Sequence, residues 1–481
     1  MFDSFFKEIE HGSYVDGEFV QTGQTHSHPS LPLKKEWKKL LFATPELVDQ
    51  ALTAAERGQA ELKDISHYER STWLKQIAES LRAKAPQLAE LIAHEMGKPL
   101  QEGLSEIAYA ASYFDWFAEE AKRIYGREIS ATTSNKSLHV SYHPVGIVAI
   151  ITPWNFPIAM GARKIAPALA AGCASIVRPS TDTAVSMLAL AAVAKEIGLP
   201  GNVLSVLVGD AGMISEKLLA SPKVRKFTFT GSTAIGELLY TKCAPTFKKV
   251  TLELGGNAPF IVFEDADIPA AVQEACAGRL RVSGQACTSP NRFFIHEKVF
   301  EAFCTQLTAA VQSFKIGSPL HEETQLTDTL HPSSHTKVEL HIQDALEKGA
   351  HLLLKGEGPH APTILTGLTK EMLCFQEETF GPLFALASFK NEEEVIALAN
   401  DTIHGLAAYF FTRDVGRAHR MKQALEYGII GLNDGVPSCA QLPFGGVKYS
   451  GFGREGGPDG IKEYLSEKAL STKWSTLKWV D

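Results

Sequence analysis

The stretch Val282-Ser-Gly-Gln-Ala-Cys-Thr-Ser-Pro-Asn-Arg292 sets a cysteine among polar and turn-forming residues. Cys287 follows Gly284 and Gln285 and precedes Thr288, Ser289 and Pro290, which puts it at a chain break and outside any apolar run. A thiol so placed is suited to attack an electrophilic carbon. On its own, the stretch fits better with the ordinary state of an intracellular cysteine, a small buried hydrophobe. A second stretch, Phe229-Thr230-Gly231-Ser232-Thr233-Ala234-Ile235-Gly236, puts Gly231 at a strand end and a Ser/Thr pair at a helix start. Free backbone N–H groups and the helix dipole there favour a phosphate. The Gly-x-Gly-x-x-Gly fingerprint is absent, and a tight turn followed by an N-cap explains the stretch equally well.

The elements that must carry these stretches follow from periodicity and punctuation. Thr44-Pro45-Glu46 reads as an N-cap, an N1 proline and a first-turn acid opening a helix through Ala60. Ser66-His67-Tyr68-Glu69 has capping-box form, and Trp73, Ile77 and Leu81 recur along a helix that Pro86 interrupts. A further helix is expected from Ser105 to Lys122 and a hairpin around Asn135 between Gly126 and Pro144. From Gly146 to Leu254, apolar strands and helices alternate: strands at 146–151, 175–177, 203–208, 225–230 and 249–254 are separated by helical patterns. Strict alternation implies right-handed crossovers, a parallel sheet and ligands at the carboxyl ends of its strands.

Composition bounds the partners. A chain of 481 residues exceeds the size of one growing core, so two or more domains are expected. Hydrophobic residues make up 44% and charged residues 21%, with a net charge of -8, which gives no broad attraction for nucleic acid or an anionic membrane. The segment Val145 to Ala162 is broken by Pro153, Asn155 and Pro157 and cannot form an uninterrupted span. The N-terminus does not read as a signal peptide. Seven scattered cysteines form neither a disulfide framework nor a metal ribbon; a reducing cytoplasm fits, and no metal site is expected.

Several stretches taken together resemble the aldehyde dehydrogenase superfamily from Leu62 to Lys468. They are Thr152-Pro-Trp-Asn-Phe-Pro157, Arg163-Lys164, the Phe-Thr-Gly-Ser segment, Glu253-Leu-Gly-Gly256, Gly284-Gln-Ala-Cys287, Glu377-Glu-Thr-Phe-Gly-Pro382, Pro443-Phe-Gly-Gly446 and Gly453-Arg-Glu455. The resemblance implies an α/β fold with a parallel-sheet cofactor domain (1–125 and 145–252) and an α/β catalytic domain (253–430). It also implies oligomerisation strands at 126–144 and 465–481, a return to the cofactor domain at 431–464, and a homodimer or homotetramer.

It further implies that Cys287 attacks an aldehyde to give a thiohemiacetal whose oxyanion is held by the Asn155 amide and the Cys287 N–H. Hydride loss to a nicotinamide then leaves a thioester, which water activated by Glu253 cleaves. Lys164 and Glu455 support the site, Glu378 holds the nicotinamide ribose and Phe380 packs on the cofactor; Trp154, Gly231 and Ser232 complete that side. A glutamate at the Glu253 position favours hydrolysis to a free acid over transfer to coenzyme A.

Two departures bear on specificity. Relatives normally carry lysine at the Arg178 position, and those selective for NAD often carry glutamate at the Thr181 position. A neutral Thr181 beside Ser180 and Arg178 leaves room for a 2′-phosphate, so NADP is expected over NAD. Arg163 and Arg281 match positions that hold the distal carboxylate in succinate-semialdehyde dehydrogenases, and Gly431-Leu-Asn433 through Lys448, including Ser438 as a substrate contact, resembles that branch. The expected substrate is therefore a carboxylated aldehyde, succinate semialdehyde. Leu280 and Val282 replace a phenylalanine and an asparagine, which leaves glutarate or another ω-acid semialdehyde open. The alternatives are a broad aliphatic or aromatic aldehyde dehydrogenase and a catalytically silent protein on the same fold. Ser289, where some relatives carry a second cysteine, excludes a local disulfide with Cys287, so oxidation is expected to give sulfenic acid or a mixed disulfide.

Overall fold

The computed structural model describes residues 12–327, 331–356 and 361–474. The last part of the expected C-terminal oligomerisation strand, 475–481, and residues 1–11 lie outside the described residues. Two large sheets organise the chain. The first has eight strands in the order Glu18–Phe19, Tyr14–Val15, Leu204–Val206, Ser175–Arg178, Ile147–Ile151, Val224–Thr230, Lys249–Glu253 and Gly451–Phe452. Its five central strands are parallel, as the strand–helix alternation requires, and the flanking ones are antiparallel. All thirteen residues of the helix Ala159–Ala171 are buried against this sheet and its neighbours, so Arg163 and Lys164 are carried into the interior.

The second sheet runs His351–Lys355, Thr363–Thr366, Leu383–Phe389, Pro290–His296, Ala258–Val262, Ala407–Phe411 and Ile429–Leu432, parallel except for its first strand. Successive residues alternate between its two faces: Phe260, Val262, Phe293 and Ile295 pack on one side, Ile261, Phe263 and Phe294 on the other. The boundary expected at 430/431 cuts the last of these strands, which continues to Leu432, and Glu253 ends a strand of the first sheet.

The hairpin around Asn135 forms from Arg127–Ile129 and Lys136–Pro144, and Leu465–Lys473 pairs along the whole of its second strand. Several local expectations shift. The helix predicted from Ser105 begins at Leu100, after Pro99. Pro86 does not interrupt a helix. The first helix ends at Ala83, and Pro86 sits in the opening turn of the next, Ala85–Met96, where its missing N–H costs nothing. The core stripe of the first helix is Leu74, Ile77, Ala78 and Leu81, with Trp73 at its edge. A second hairpin, Gln24–Ser30 with Lys35–Phe42, has no counterpart in the sequence reading. Among the described residues, no helix is long and apolar enough to cross a membrane.

Candidate active site

Between the carboxyl ends of the first sheet's strands and the amino ends of the second's lies a cavity of about 230 Å³ whose walls include Trp154, Asn155, Arg163, Gly231, Ser232 and Arg281. Cys287, Glu378, Phe380 and Ser438 complete the predicted residues that line it. Glu253 and Lys164 are not in its wall; both are buried behind it. Arg178, Ser180 and Thr181 lie outside it, at the end of strand Ser175–Arg178.

Cys287 is fixed by the chain around it. The helix Ile268–Leu280 ends in a turn in which Val282 and Ser283 take left-handed φ values of 53° and 50°. Both oxygens of Glu102 accept the Val282 N–H, at 2.9 and 3.0 Å. Beyond the thiol, the Tyr409 hydroxyl donates to the Thr288 carbonyl at 2.5 Å, and Ser289 Oγ bonds to the Gly278 carbonyl and Arg279. Asn291, where the strand begins, donates to Asn257 Oδ1 and to the carbonyls of Cys374 and Glu377, and its own Oδ1 accepts from Thr379 N–H. That amide ties the cysteine turn to the segment bearing Glu378 and Phe380. Gly256 has to be glycine, because a Cβ there would stand 2.4 Å from the Cys287 carbonyl oxygen. Burial pushes the thiol up to about 12, with Arg163 as the largest opposing influence.

Asn155 is held in the same manner. Its Nδ2 donates to the Gln285 carbonyl at 2.8 Å, and its own carbonyl accepts from Lys98 Nζ at 2.9 Å. Lys98 pairs with Glu106, both side chains fully buried, and Glu106 Oε1 accepts the N–H groups of Ile158 and Ala159. The second N–H of the Asn155 amide and the Cys287 N–H have no acceptor among the described residues. They are two donors available to one developing oxyanion.

Glu253 ends strand Lys249–Glu253, opposite Gly451 on one side and Thr230 on the other. Neither carboxylate oxygen has a partner among the described residues, and burial followed by the nearby Glu455 charge holds its pKa well above the usual range. A Cβ at Gly445 would come within 2.8 Å of Glu253 Oε1. Glu455 has the opposite setting. It pairs with both Lys164 and Arg163, and Lys164 also donates to Thr230 Oγ1 at 2.6 Å. Burial raises the Glu455 carboxyl, but these two cations outweigh that and hold it below the ordinary value.

The two arginines are not equivalent. Arg163 spends its charge on Glu455, with its guanidinium 3.9 Å from the centre of the Phe444 ring. Arg281 makes no ion pair among the described residues, its Nε lacks a partner, and its guanidinium lies 5.3 Å from the Phe156 ring centre. Ser438 Oγ bonds to the Tyr109 hydroxyl at 2.5 Å, which in turn bonds to that of Tyr113 at 2.7 Å. On the opposite wall, Glu378 Oε1 accepts the Gly256 N–H at 3.1 Å, and burial pushes its carboxyl up to about 7. Phe380 stands edge-on to Trp154, ring centres 5.8 Å apart.

The strand ends offer groups suited to a dinucleotide. Ser232 heads the helix Thr233–Cys243 without spending its hydroxyl on the cap. Gly231 N–H donates to the Glu253 carbonyl and so shapes the turn without being free for a ligand. The buried Arg178 gives one N–H to the Gly209 carbonyl at 3.3 Å, and its Nε has no partner among the described residues. Sequence reasoning missed Glu102, Lys98, Glu106 and Asn291. Each reads as a surface charge or loop amide until the tertiary contact is made.

Residues 20–470 match the sequence model of the aldehyde dehydrogenase family. A glutarate-semialdehyde dehydrogenase of Pseudomonas putida is 47% identical over 425 residues, covering 88% of each chain. A succinate-semialdehyde dehydrogenase [NADP(+)] of Escherichia coli is 46% identical over 426 residues, covering 87% of this chain and 88% of that protein. The crystal structure of succinate-semialdehyde dehydrogenase from Burkholderia pseudomallei superposes with a TM-score of 0.95 at 44% identity, covering 98% of this chain and 99% of that one. The chain belongs to the aldehyde dehydrogenase family and is an oxidoreductase that turns an aldehyde into a carboxylic acid.

Proposed function

We propose that the chain oxidises succinate semialdehyde to succinate with NADP+. The observation that carries the substrate is Arg281, a guanidinium without an ion-pair partner among the described residues on the wall of the cavity that holds Cys287. A carboxylate at the far end of a short aldehyde would give that cation its missing partner through two parallel hydrogen bonds. Tyr109 and Ser438 add hydroxyls to the same wall. Glutarate semialdehyde, one methylene longer, is the neighbouring reading, supported by the Pseudomonas relative's name.

Cys287 Sγ forms the bond to the aldehyde carbon as its proton passes to Glu253, which releases it to solvent before the second half-reaction, and Asn155 Nδ2 with the Cys287 N–H holds the resulting oxyanion. A bound nicotinamide supplies the hydride acceptor. Glu378 would hold its ribose, Phe380 and Trp154 its ring side, Ser232 its phosphates, and Arg178 with Ser180 and Thr181 its adenosine end. The preference for NADP rests on Arg178 beside the uncharged Thr181 and is supported by the cofactor in the Escherichia coli relative's name. The thioester on Cys287 is then cleaved by water that gives its proton to Glu253, whose raised affinity for a proton suits a base working near neutral pH. Because Glu253 sits behind the cavity wall, it acts by side-chain rotation or through one bridging water. We assign the eight-stranded sheet with its helices to the cofactor, the seven-stranded sheet to catalysis, and the three-stranded sheet Leu465–Lys473, Lys136–Pro144, Arg127–Ile129 to contact between copies of the chain.

A panel of aldehydes assayed with wild type and Arg281→Ala tests the substrate. Removing a buried charge-assisted pair costs about 2–3 kcal/mol, so kcat/KM for succinate semialdehyde should fall roughly 30- to 150-fold while that for butanal changes less than about threefold. Equal losses on both aldehydes would remove the carboxylate assignment.

A further inference from the structure

His331 has no place in the chemistry described so far, yet it touches the site from three directions. Its ring stacks on Trp154 with centres 4.3 Å apart and planes 16° from parallel. Its backbone N–H donates to Gln285 Oε1 at 3.1 Å, two residues from Cys287. Its Nδ1 accepts the Ser333 N–H at 3.4 Å and lies 2.8 Å from Ser333 Oγ, which fixes the tautomer so that Nε2 carries the proton. That nitrogen stands 3.5 Å from Asp182 Oδ2, and the contact holds the Asp182 carboxyl below its ordinary range. Asp182 follows Thr181 directly and also accepts from Ser180 Oγ. The imidazole thus bridges the residues assigned to the adenosine end of the dinucleotide and Trp154, assigned to its nicotinamide end.

We infer that His331 is a binding residue for the diphosphate of the dinucleotide, its Nε2–H exchanging the Asp182 carboxylate for a phosphate oxygen. The inference rests on the cofactor placement proposed above. A donor located between the two ends of an extended dinucleotide faces its middle, where the diphosphate lies. Tautomer, ring stacking and backbone tether leave the imidazole oriented before the ligand arrives, so little ordering is lost on binding. Asp182 satisfies the donor while the site is free and repels the incoming anion.

The exchange predicts effects of opposite sign at its two ends, which loss of folding would not produce. Dissociation constants for NADPH and for ADP-ribose, measured by calorimetry on the full chain, should rise about tenfold in His331→Ala. They should stay within about threefold of wild type in His331→Gln, whose side chain keeps an N–H at similar reach. They should fall at least about threefold in Asp182→Asn, which removes the competing charge. An unchanged constant in His331→Ala, an equal loss in His331→Gln, or weaker binding by Asp182→Asn would each overturn the assignment. Wild type that binds neither NADPH nor ADP-ribose would overturn it together with the dinucleotide reading itself.

Discussion

The strand end that carries Glu253 and the turn that carries Cys287 border one cavity and are held by opposite means. Around Glu253 the neighbours are charged: Glu455 is buried with it, and Arg163 and Lys164 pair with Glu455 and leave Glu253 alone. Two carboxyls in one enclosure are driven apart, one held low by its cations and the other high by burial and by the first. Around Cys287 the supports are mostly neutral: the Tyr409 hydroxyl, Ser289, and the Asn257–Asn291 amides. Arg279, buried there without an ion-pair partner among the described residues, is pushed down to about 9. Charges are concentrated around Glu253 and Glu455, and neutral hydrogen bonds around Cys287. On the mechanism proposed above, the nucleophile is placed by geometry and the base tuned by electrostatics.

Removing either group tests that division, and the largest effect belongs to the thiol. Cys287→Ala should lower kcat by about four orders of magnitude or more and leave the unfolding free energy within about 0.5 kcal/mol of wild type. Residual turnover within tenfold of wild type would show that another group is the nucleophile. Glu253→Gln should cost roughly 10²- to 10⁴-fold in steady-state rate and convert the progress curve to a burst followed by slow release, with the acyl group on Cys287 detectable by intact-protein mass spectrometry. In wild type the deacylation rate should rise with pH through the elevated Glu253 pKa and then level off, because the base works only after losing its proton. A glutamine variant that retained this pH dependence would move the base elsewhere.

The sequence made the two ends of this comparison legible to different degrees. Glu253-Leu-Gly-Gly256 and Gly284-Gln-Ala-Cys287 could be placed because strand alternation and local motif agree, and the hairpin at Asn135 because its punctuation is local. The charged side was half visible: Lys164 and Glu455 were picked out, but not that Arg163 is committed to Glu455 and Arg281 to no ion pair among the described residues. The neutral side was not visible at all. Asn291 and Asn257 are 34 positions apart and meet only when two parallel strands are in register. Val282 and Ser283 take left-handed backbone without the glycine that would announce it, because Glu102, on a helix 180 positions earlier, holds the Val282 N–H. The hairpin Gln24–Ser30/Lys35–Phe42 escaped for a related reason. Its buried His28 and Ser30 contact Glu95 and His94, so their burial is bought by tertiary partners and leaves no hydrophobic alternation to read.

The neutral scaffold can be broken at its most connected amide. Asn291→Ala would strip Asn257, two carbonyls and the Thr379 N–H of a buried partner, at a cost of about 2–4 kcal/mol. Chemical unfolding should show the loss directly, and kcat should drop even where the protein remains folded, because the cysteine turn and the Glu378 segment share this one residue. A midpoint within experimental error of wild type would mean that the amide network does not hold the turn.

The smallest effect probes Glu378, one of the carboxyls that the largely neutral side does contain. Burial lifts Glu378 from 4.5 to about 7, outweighing the Gly256 N–H and the more distant Lys337 and Arg279 charges. A carboxyl with a folded pKa above its unfolded one contributes its full stability below 4.5 and loses it as pH rises through 7. Glu378→Gln has no such loss and can still accept the Gly256 N–H. Its melting temperature should therefore match wild type near pH 4.5 and exceed it at pH 8.5, by roughly 1 °C for each kcal/mol of relieved penalty. The same charge helps to raise the Cys287 thiol, so iodoacetamide should alkylate Cys287 faster in Glu378→Gln than in wild type at pH 8.5, with the difference fading at pH 6. If the melting difference stays constant from pH 4.5 to 8.5, Glu378 is not the buried, reluctant acid that its surroundings describe. The contrast between a charged base side and a neutral thiol side would then have to rest on Glu253 and Glu455 alone.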